Sequence, residues 1–136
     1  MIFLDSNIVI DLLDDTGDWP AWSKSRIARL RSNHAVVVNA VVLAETAGRF
    51  DNVDTQSRFF CDLQAEVQDM DCQAAYRAGL AYRAYRKAGG PRAAVLADFL
   101  IGGHAVVLGA TLLTRDRGRF ASYFPELNLI TPETHS

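Results

Sequence analysis

The chain has 136 residues, 49% apolar and 22% charged, with a net charge of −2 from 14 basic and 16 acidic side chains. That length fits one domain spanning 1–136, with a core that needs no disulfide or metal staple. The composition excludes disorder, fibrous repeats and a simple nucleic-acid-coating protein. No apolar run reaches the roughly 18 residues of a membrane span, and Met1-Ile2-Phe3-Leu4-Asp5 lacks the basic start of a signal peptide. Cys61 and Cys72 form no CxxC pair and read as free thiols of a reducing, cytoplasmic compartment. The basic set holds 12 Arg against Lys24 and Lys87; Arg grips phosphate better, through two parallel hydrogen bonds.

In chain order, Ile2-Phe3-Leu4 predicts a short buried strand. Asp5-Ser6-Asn7 is its turn, and Ile8 to Leu13 is a short helix carrying Asp11. After Gly17-Asp18, a helix is expected over 20–32, with Pro20 in its first turn, Ile27, Ala28 and Leu30 inward and Lys24, Arg26, Arg29 and Arg31 outward. The β-branched run Ala35–Val38 is a second strand. Asn39 can cap a helix over 40–48, in which Val42 and Glu45 lie near one face. A polar loop over 49–54 follows, then a helix capped by Thr55 to about Gln64, then a third strand over Glu66–Met70. Asp71 can cap a long helix to Ala88 with Cys72, Ala75, Tyr76, Gly79 and Leu80 at core spacing, closed by Gly89-Gly90-Pro91. An apolar helix over 94–108, a strand over Ala110–Leu113 and a last strand over Leu127–Ile130 complete the pattern, with 131–136 as a loose tail. Strands alternating with helices imply βαβ units and a parallel sheet.

Four acids sit among apolar neighbours. Asp5 ends the first strand. Glu45 follows Val41-Val42-Leu43-Ala44, Asp98 divides Val95-Leu96-Ala97 from Phe99-Leu100-Ile101, and Asp116 follows Leu112-Leu113-Thr114. Such placement is costly unless the acid is paired or metal-bound. Any one alone fits a cap, a turn or a partner for Arg. Topology joins the four, because an open parallel sheet binds ligands beyond the carboxyl ends of its strands. Asp98 reaches that rim if it lies in the first turn of its helix. Converging carboxylates call for a hard divalent cation, Mg²⁺ or Mn²⁺. His34, His104 and His135 are scattered and offer no zinc site. Carboxylates around such ions point to phosphoryl chemistry. Arg115, Arg117 and Arg119 beside Asp116 read as a phosphate grip or as a solvated turn.

The series Leu4-Asp5-Ser6-Asn7, Glu45, Ala97-Asp98-Phe99-Leu100-Ile101 with His104-Ala105, and Leu113-Thr114-Arg115-Asp116 with Phe120 resembles the PIN-domain ribonucleases, in particular the VapC toxins of toxin–antitoxin pairs. The resemblance implies a three-layer α/β/α sandwich with a short parallel sheet. It implies an Mg²⁺- or Mn²⁺-dependent endoribonuclease acting on RNA, homodimeric and silenced by an antitoxin whose tail lies in a groove and offers a basic residue to the acids. Asp5, Glu45, Asp98 and Asp116 would be the acidic quartet, supported by Thr114 and by Ser6 or Asn7. Two departures are visible. Gly102-Gly103 stands where many relatives have Ala or another small residue, and it reads as close helix–sheet packing. Arg117, Gly118, Arg119 and Phe120 occupy the stretch where some relatives carry a fifth acid.

Setting the quartet aside turns the net charge from −2 to +2. That suits an Arg-rich RNA rim, with Arg115, Arg117, Arg119 and Arg92 as first candidates and Arg83, Arg86 and Lys87 behind them. Trp19 and Trp22 fit the core, or else a partner face. Tyr76, Tyr82 and Tyr85 have core and dimer spacing, with base stacking as the other use. A haloacid-dehalogenase-type phosphatase needs a second Asp where Asn7 stands, and both it and a response-regulator receiver need a strand-end Lys that the chain lacks. A housekeeping PIN nuclease of RNA processing and a silent RNA- or protein-binding PIN module remain the alternatives.

Overall fold

The computed structural model describes residues 1–92 and 95–136. Its five strands are β1 (Ile2–Leu4), β2 (Val36–Asn39), β3 (Ala65–Gln68), β4 (Thr111–Leu113) and β5 (Asn128–Ile130). All pair in parallel, in the order β3-β2-β1-β4-β5. The helices are α1 (Ser6–Leu13), α2 (Asp18–Leu30), α3 (Ala40–Thr46), α4 (Val53–Asp62), α5 (Cys72–Lys87), α6 (Leu96–Leu108) and α7 (Gly118–Tyr123), with a 3-10 turn over Ala47–Arg49. Each residue of β1 and β2 is buried, as in a sheet covered on both faces. Parallel crossovers are right-handed, so α1–α4, on the way to β2 and β3, cover one face, and α5–α7, on the way to β4 and β5, cover the other. This is the expected α/β/α sandwich. Its core gathers Phe3, Leu4, Ile8, Val37, Phe99, Ile101, Leu112, Leu113 and Phe124.

Local chemistry sets the boundaries. Asp5 caps α1, Asn39 caps α3 and Asp71 caps α5, each through its side-chain oxygen. Asn52, rather than Thr55, caps α4; Thr55 is the third helical residue and closes a capping box with it. The helix expected over 20–32 is α2, which starts at Asp18 because Pro20 needs no N–H in a first turn. It exposes Ala28. The helix expected to reach residue 48 tightens into the 3-10 turn after Thr46. The helix expected over 94–108 begins at Leu96, and its expected first residue lies outside the described residues. The expected strands match β2 to β5 within one or two residues. Helix α7 was not expected; it is only six residues long, and its glycine, serine and two aromatic residues carry little helical signal.

The long helix α5 turns a different face inward from the one expected. Cys72, Ala75, Tyr76, Gly79 and Leu80 are exposed, whereas Ala74, Ala78 and Ala81 are buried. Small residues are needed there because α5 packs directly on α6. A Cβ on Gly103 would lie 2.6 Å from the Ala78 backbone N. Gly103 therefore serves helix–helix packing rather than the helix–sheet contact expected of it, while a Cβ on Gly102 would strike the Phe124 ring at 2.5 Å. The C-terminal segment is not loose. Thr131 is fully buried and exchanges hydrogen bonds with Thr134, and the His135 carbonyl accepts from the Trp22 indole (2.7 Å) and from Arg26 (2.9 Å).

Candidate active site

Strands β1 and β4 end side by side, with Leu4 opposite Leu113. The next residues, Asp5 and Thr114, therefore meet at the carboxyl edge of the sheet. The Thr114 hydroxyl donates to Asp5 Oδ2 at 2.6 Å, and the Ser6 N–H donates to Asp5 Oδ1 at 2.7 Å. Thr114 Oγ1 in turn accepts from Asn7 Nδ2 (3.3 Å) and from the Asp116 N–H (3.1 Å), and Asn7 Oδ1 accepts from the Arg115 N–H (3.3 Å). The Ser6 hydroxyl donates to Glu45 Oε1 at 2.6 Å. One hydrogen-bonded chain thus runs from Glu45 on α3 through Ser6, Asp5 and Thr114 to the backbone of Asp116. Asp98 lies in the first turn of α6, the condition set for it to reach this rim, and is ion-paired with Arg119 on α7. Asp116 accepts from the Gly118 N–H at 3.0 Å.

The acids act on one another. Burial, the largest cause, pushes the Asp5 carboxyl up to about 6; the Thr114 and Ser6 hydrogen bonds oppose it, while the charges of Asp98 and Glu45 add to it. Asp98 is likewise raised, first by burial, against the pull of Arg119 and with a push from Glu45 and Asp116. Only Asp5 is buried; Asp98 is partly buried and Glu45 and Asp116 are exposed. Apolar neighbours in sequence need not be neighbours in space, so the sequence signal overstated the burial of Glu45, on a helix, and of Asp116, in the loop after β4.

The donor set fits a hard cation. It is all oxygen, and the neighbouring acids add charge repulsion to the burial that holds Asp5 and Asp98 above their usual range, a local shortage of positive charge. A guanidinium already answers part of that shortage at Asp98. Among the described residues, no three His, Cys, Asp or Glu side chains form a ready-made cage. Asp98 must let go of Arg119 before it can turn all of its lone pairs to an ion.

The basic rim is less open than expected. Arg119 is committed to Asp98. Arg115 Nε stands 3.2 Å from Asp11 Oδ2, an ion pair not aligned as a hydrogen bond, and its guanidinium lies 5.6 Å from the Trp19 ring centroid. Arg92, Arg117, Arg83, Arg86 and Lys87 are exposed. Sequence reasoning passed over Asp11, which is buried and accepts from the Ser23 hydroxyl at 2.6 Å. Its position between Ile10 and Leu12 carried the same signal as the quartet. It ties α1 and α2 to the loop bearing Thr114 and Asp116. His104 is also buried. Asn39 Oδ1 already accepts from Val41 and Val42, so its amide nitrogen donates to His104 Nδ1 (3.1 Å), and burial holds that imidazole below its usual range. Tyr82 and Tyr85 pack around Phe99, Tyr85 also against Tyr123, while Tyr76 and Trp19 are exposed. Trp22 packs against the core.

No curated protein sequence matches the chain closely. Among solved structures it is similar to VapBC2 from Rickettsia felis bound to a promoter DNA fragment (TM-score 0.72, 23% identity, 96% of this chain and 98% of that one). It is similar to VapBC-1 from nontypeable Haemophilus influenzae (TM-score 0.72, 26% identity, 96% and 98%) and to FitAcB from Neisseria gonorrhoeae (TM-score 0.66, 21% identity, 100% of both). The model of the PIN domain matches residues 2–123. With a parallel sheet whose carboxyl edge gathers Asp5, Glu45, Asp98 and Asp116, this chain belongs to the PIN domain family.

Proposed function

We propose that the protein is an Mg²⁺- or Mn²⁺-dependent endoribonuclease serving as the toxin of a toxin–antitoxin pair. The observation that carries the reading is the convergence of Asp5, Glu45, Asp98 and Asp116 on one sheet edge, where neighbouring acid charges add to burial in raising Asp5 and Asp98; a divalent cation would answer that charge. Asp5, Glu45, Asp98 and Asp116 would hold the ion. Bound there, it would supply an activated water and neutralise charge on the scissile phosphate in an in-line displacement. Thr114 and Ser6 orient the carboxylates by donating to Asp5 and Glu45, and Asn7 fixes Thr114. Arg115, Arg117, Arg119 and Arg92 are the residues we assign to the RNA backbone.

The toxin role is supported by the likeness to solved toxin–antitoxin complexes. We assign the antitoxin to a groove of about 400 Å³ between α1, α2 and α4, lined by Leu12, Lys24, Ile27, Ala28, Arg31, Phe59 and Leu63. We further infer a homodimer through the exposed face of α5, and a cytoplasmic setting in keeping with the exposed free thiols of Cys61 and Cys72. Among the described residues no helix is long and apolar enough to cross a membrane.

The test is cleavage of total RNA by purified protein, with end mapping. Asp5→Asn and Asp98→Asn should each lower the rate at least about 10²-fold, the usual scale for losing a catalytic group, while RNA binding persists. Full activity in both variants, or in the presence of a chelator, would end this reading.

A further inference from the structure

The ion pair between Arg119 and Asp98 links α7 to the first turn of α6. Both side chains are about one-third exposed, at 32% and 31%, and exposed pairs add little stability. Its position is what sets it apart. Among the described residues it is the one ion pair that touches the quartet: Asp5 and Glu45 are satisfied by hydroxyls or N–H groups, and Asp116 by the Gly118 N–H. Gly118 is the residue before Arg119, so Asp116 and Arg119 share one short turn at the start of α7. The guanidinium also lies 5.9 Å from the Tyr85 ring centroid, so α5 gives it a second resting place beside Asp98.

We propose that Arg119 is a built-in latch on Asp98: it holds the carboxylate until a divalent cation displaces it, and the freed guanidinium then takes a phosphate oxygen pair of the RNA. The proposal rests on the metal-dependent reading above. A singly charged guanidinium can serve one carboxylate, whereas a divalent ion bridges several, so the exchange runs toward the ion. It remains competitive, because both claim the same oxygens of Asp98. The apparent metal affinity is then the intrinsic one reduced by the fraction of time the latch is open. The planar fork that fits a carboxylate fits a phosphate equally well. Removing Arg119 should therefore move two affinities in opposite directions, tightening metal and loosening RNA.

The test is Mn²⁺ titration by calorimetry on wild type, Arg119→Gln and Arg117→Gln, with the ¹⁵N guanidinium resonances of wild type followed as Mg²⁺ is added. Arg117 is exposed and two residues away, so its variant removes the same charge without touching the latch. A latch closed about nine-tenths of the time predicts that Arg119→Gln binds Mn²⁺ about tenfold tighter. Arg117→Gln should tighten Mn²⁺ far less than Arg119→Gln, since the exposed Arg117 side chain forms no ion pair among the described residues and so blocks no ligand. Binding of a single-stranded RNA oligonucleotide to Arg119→Gln should weaken. In wild type, the Arg119 resonances should pass from restrained to freely averaged as Mg²⁺ binds. Equal Mn²⁺ affinity in wild type and Arg119→Gln, equal tightening in both variants, or Arg119 resonances indifferent to Mg²⁺ would overturn the latch and leave the metal site standing. Failure of every protein to bind Mn²⁺ would overturn the metal-dependent reading and the latch with it.

Discussion

Replacing Asp5 by Asn should make the metal-free protein more stable at neutral pH, although it removes a central carboxylate. Asp5 is 5% exposed, and its carboxyl rises from 3.8 to about 6. A shift of about two units corresponds to about 3 kcal/mol of differential stabilisation between its two forms. The raised pKa fixes the sign. The fold carries no penalty below pH 3.8, loses stability as pH climbs toward 6, and bears the full cost above it. Asn carries no charge and caps a helix as well as Asp, so the Ser6 hydrogen bond survives. The hydroxyl bond from Thr114 is lost or reversed, at about 1 kcal/mol. The net gain is about 2 kcal/mol at pH 8, a rise in Tm of about 8 °C for a chain of this size. Calorimetric melting with a chelator at pH 4 and pH 8 measures it. The advantage should be small or absent at pH 4, and millimolar Mg²⁺ should restore or reverse the ranking in favour of wild type, because only the intact site gains stability from binding. If the variant melts below wild type at pH 8 in chelator, the carboxylate is held by its hydrogen bonds rather than strained by burial, and the reasoning fails.

Two glycines on facing helices should respond oppositely. Gly103→Ala drives a methyl to 2.6 Å from the Ala78 backbone and should cost about 1–3 kcal/mol. Gly79→Ala meets nothing within 4 Å and should add about 0.5–1 kcal/mol; urea midpoints of the two variants check both. Light scattering at tens of micromolar should give a dimer for wild type and a monomer for the pair Tyr76→Glu and Leu80→Glu, whose parent side chains are 69% and 47% exposed. A monomeric wild type would refute that interface.

Much of the frame was legible because parallel strands covered on both faces must be short apolar runs. Ile2–Leu4 and Val36–Val38 have no other comfortable place. The caps Asn39 and Asp71 were readable for a local reason, since each satisfies N–H groups two or three residues on. The acids could be gathered into one site because topology sends the ends of β1 and β4 to one edge. What the sequence hid is long-range. The inward face of α5 is decided by Gly103 on another helix, and an alanine stripe carries no hydrophobic signal as strong as Tyr76 and Leu80 on the opposite face. The commitment of Arg119 to Asp98 and of Arg115 to Asp11 depends on side chains 21 and 104 positions apart meeting at one rim. The anchoring of the last residues rests on one indole N–H and one arginine, which no periodicity reports.

The hydrogen bond between Asp5 and Thr114 joins residues 109 positions apart, and β1 lies in the middle of the sheet. A ribosome therefore delivers the central strand first and one of its two neighbours nearly last. At about 5–20 residues per second, the first strand waits roughly 5–20 s for β4. Throughout that interval the nascent chain can fold α1 and α2 but cannot close the acidic edge. If the chain is the nuclease proposed above, it stays inactive through those seconds, and an inhibitor made beside it would have that time in which to meet it.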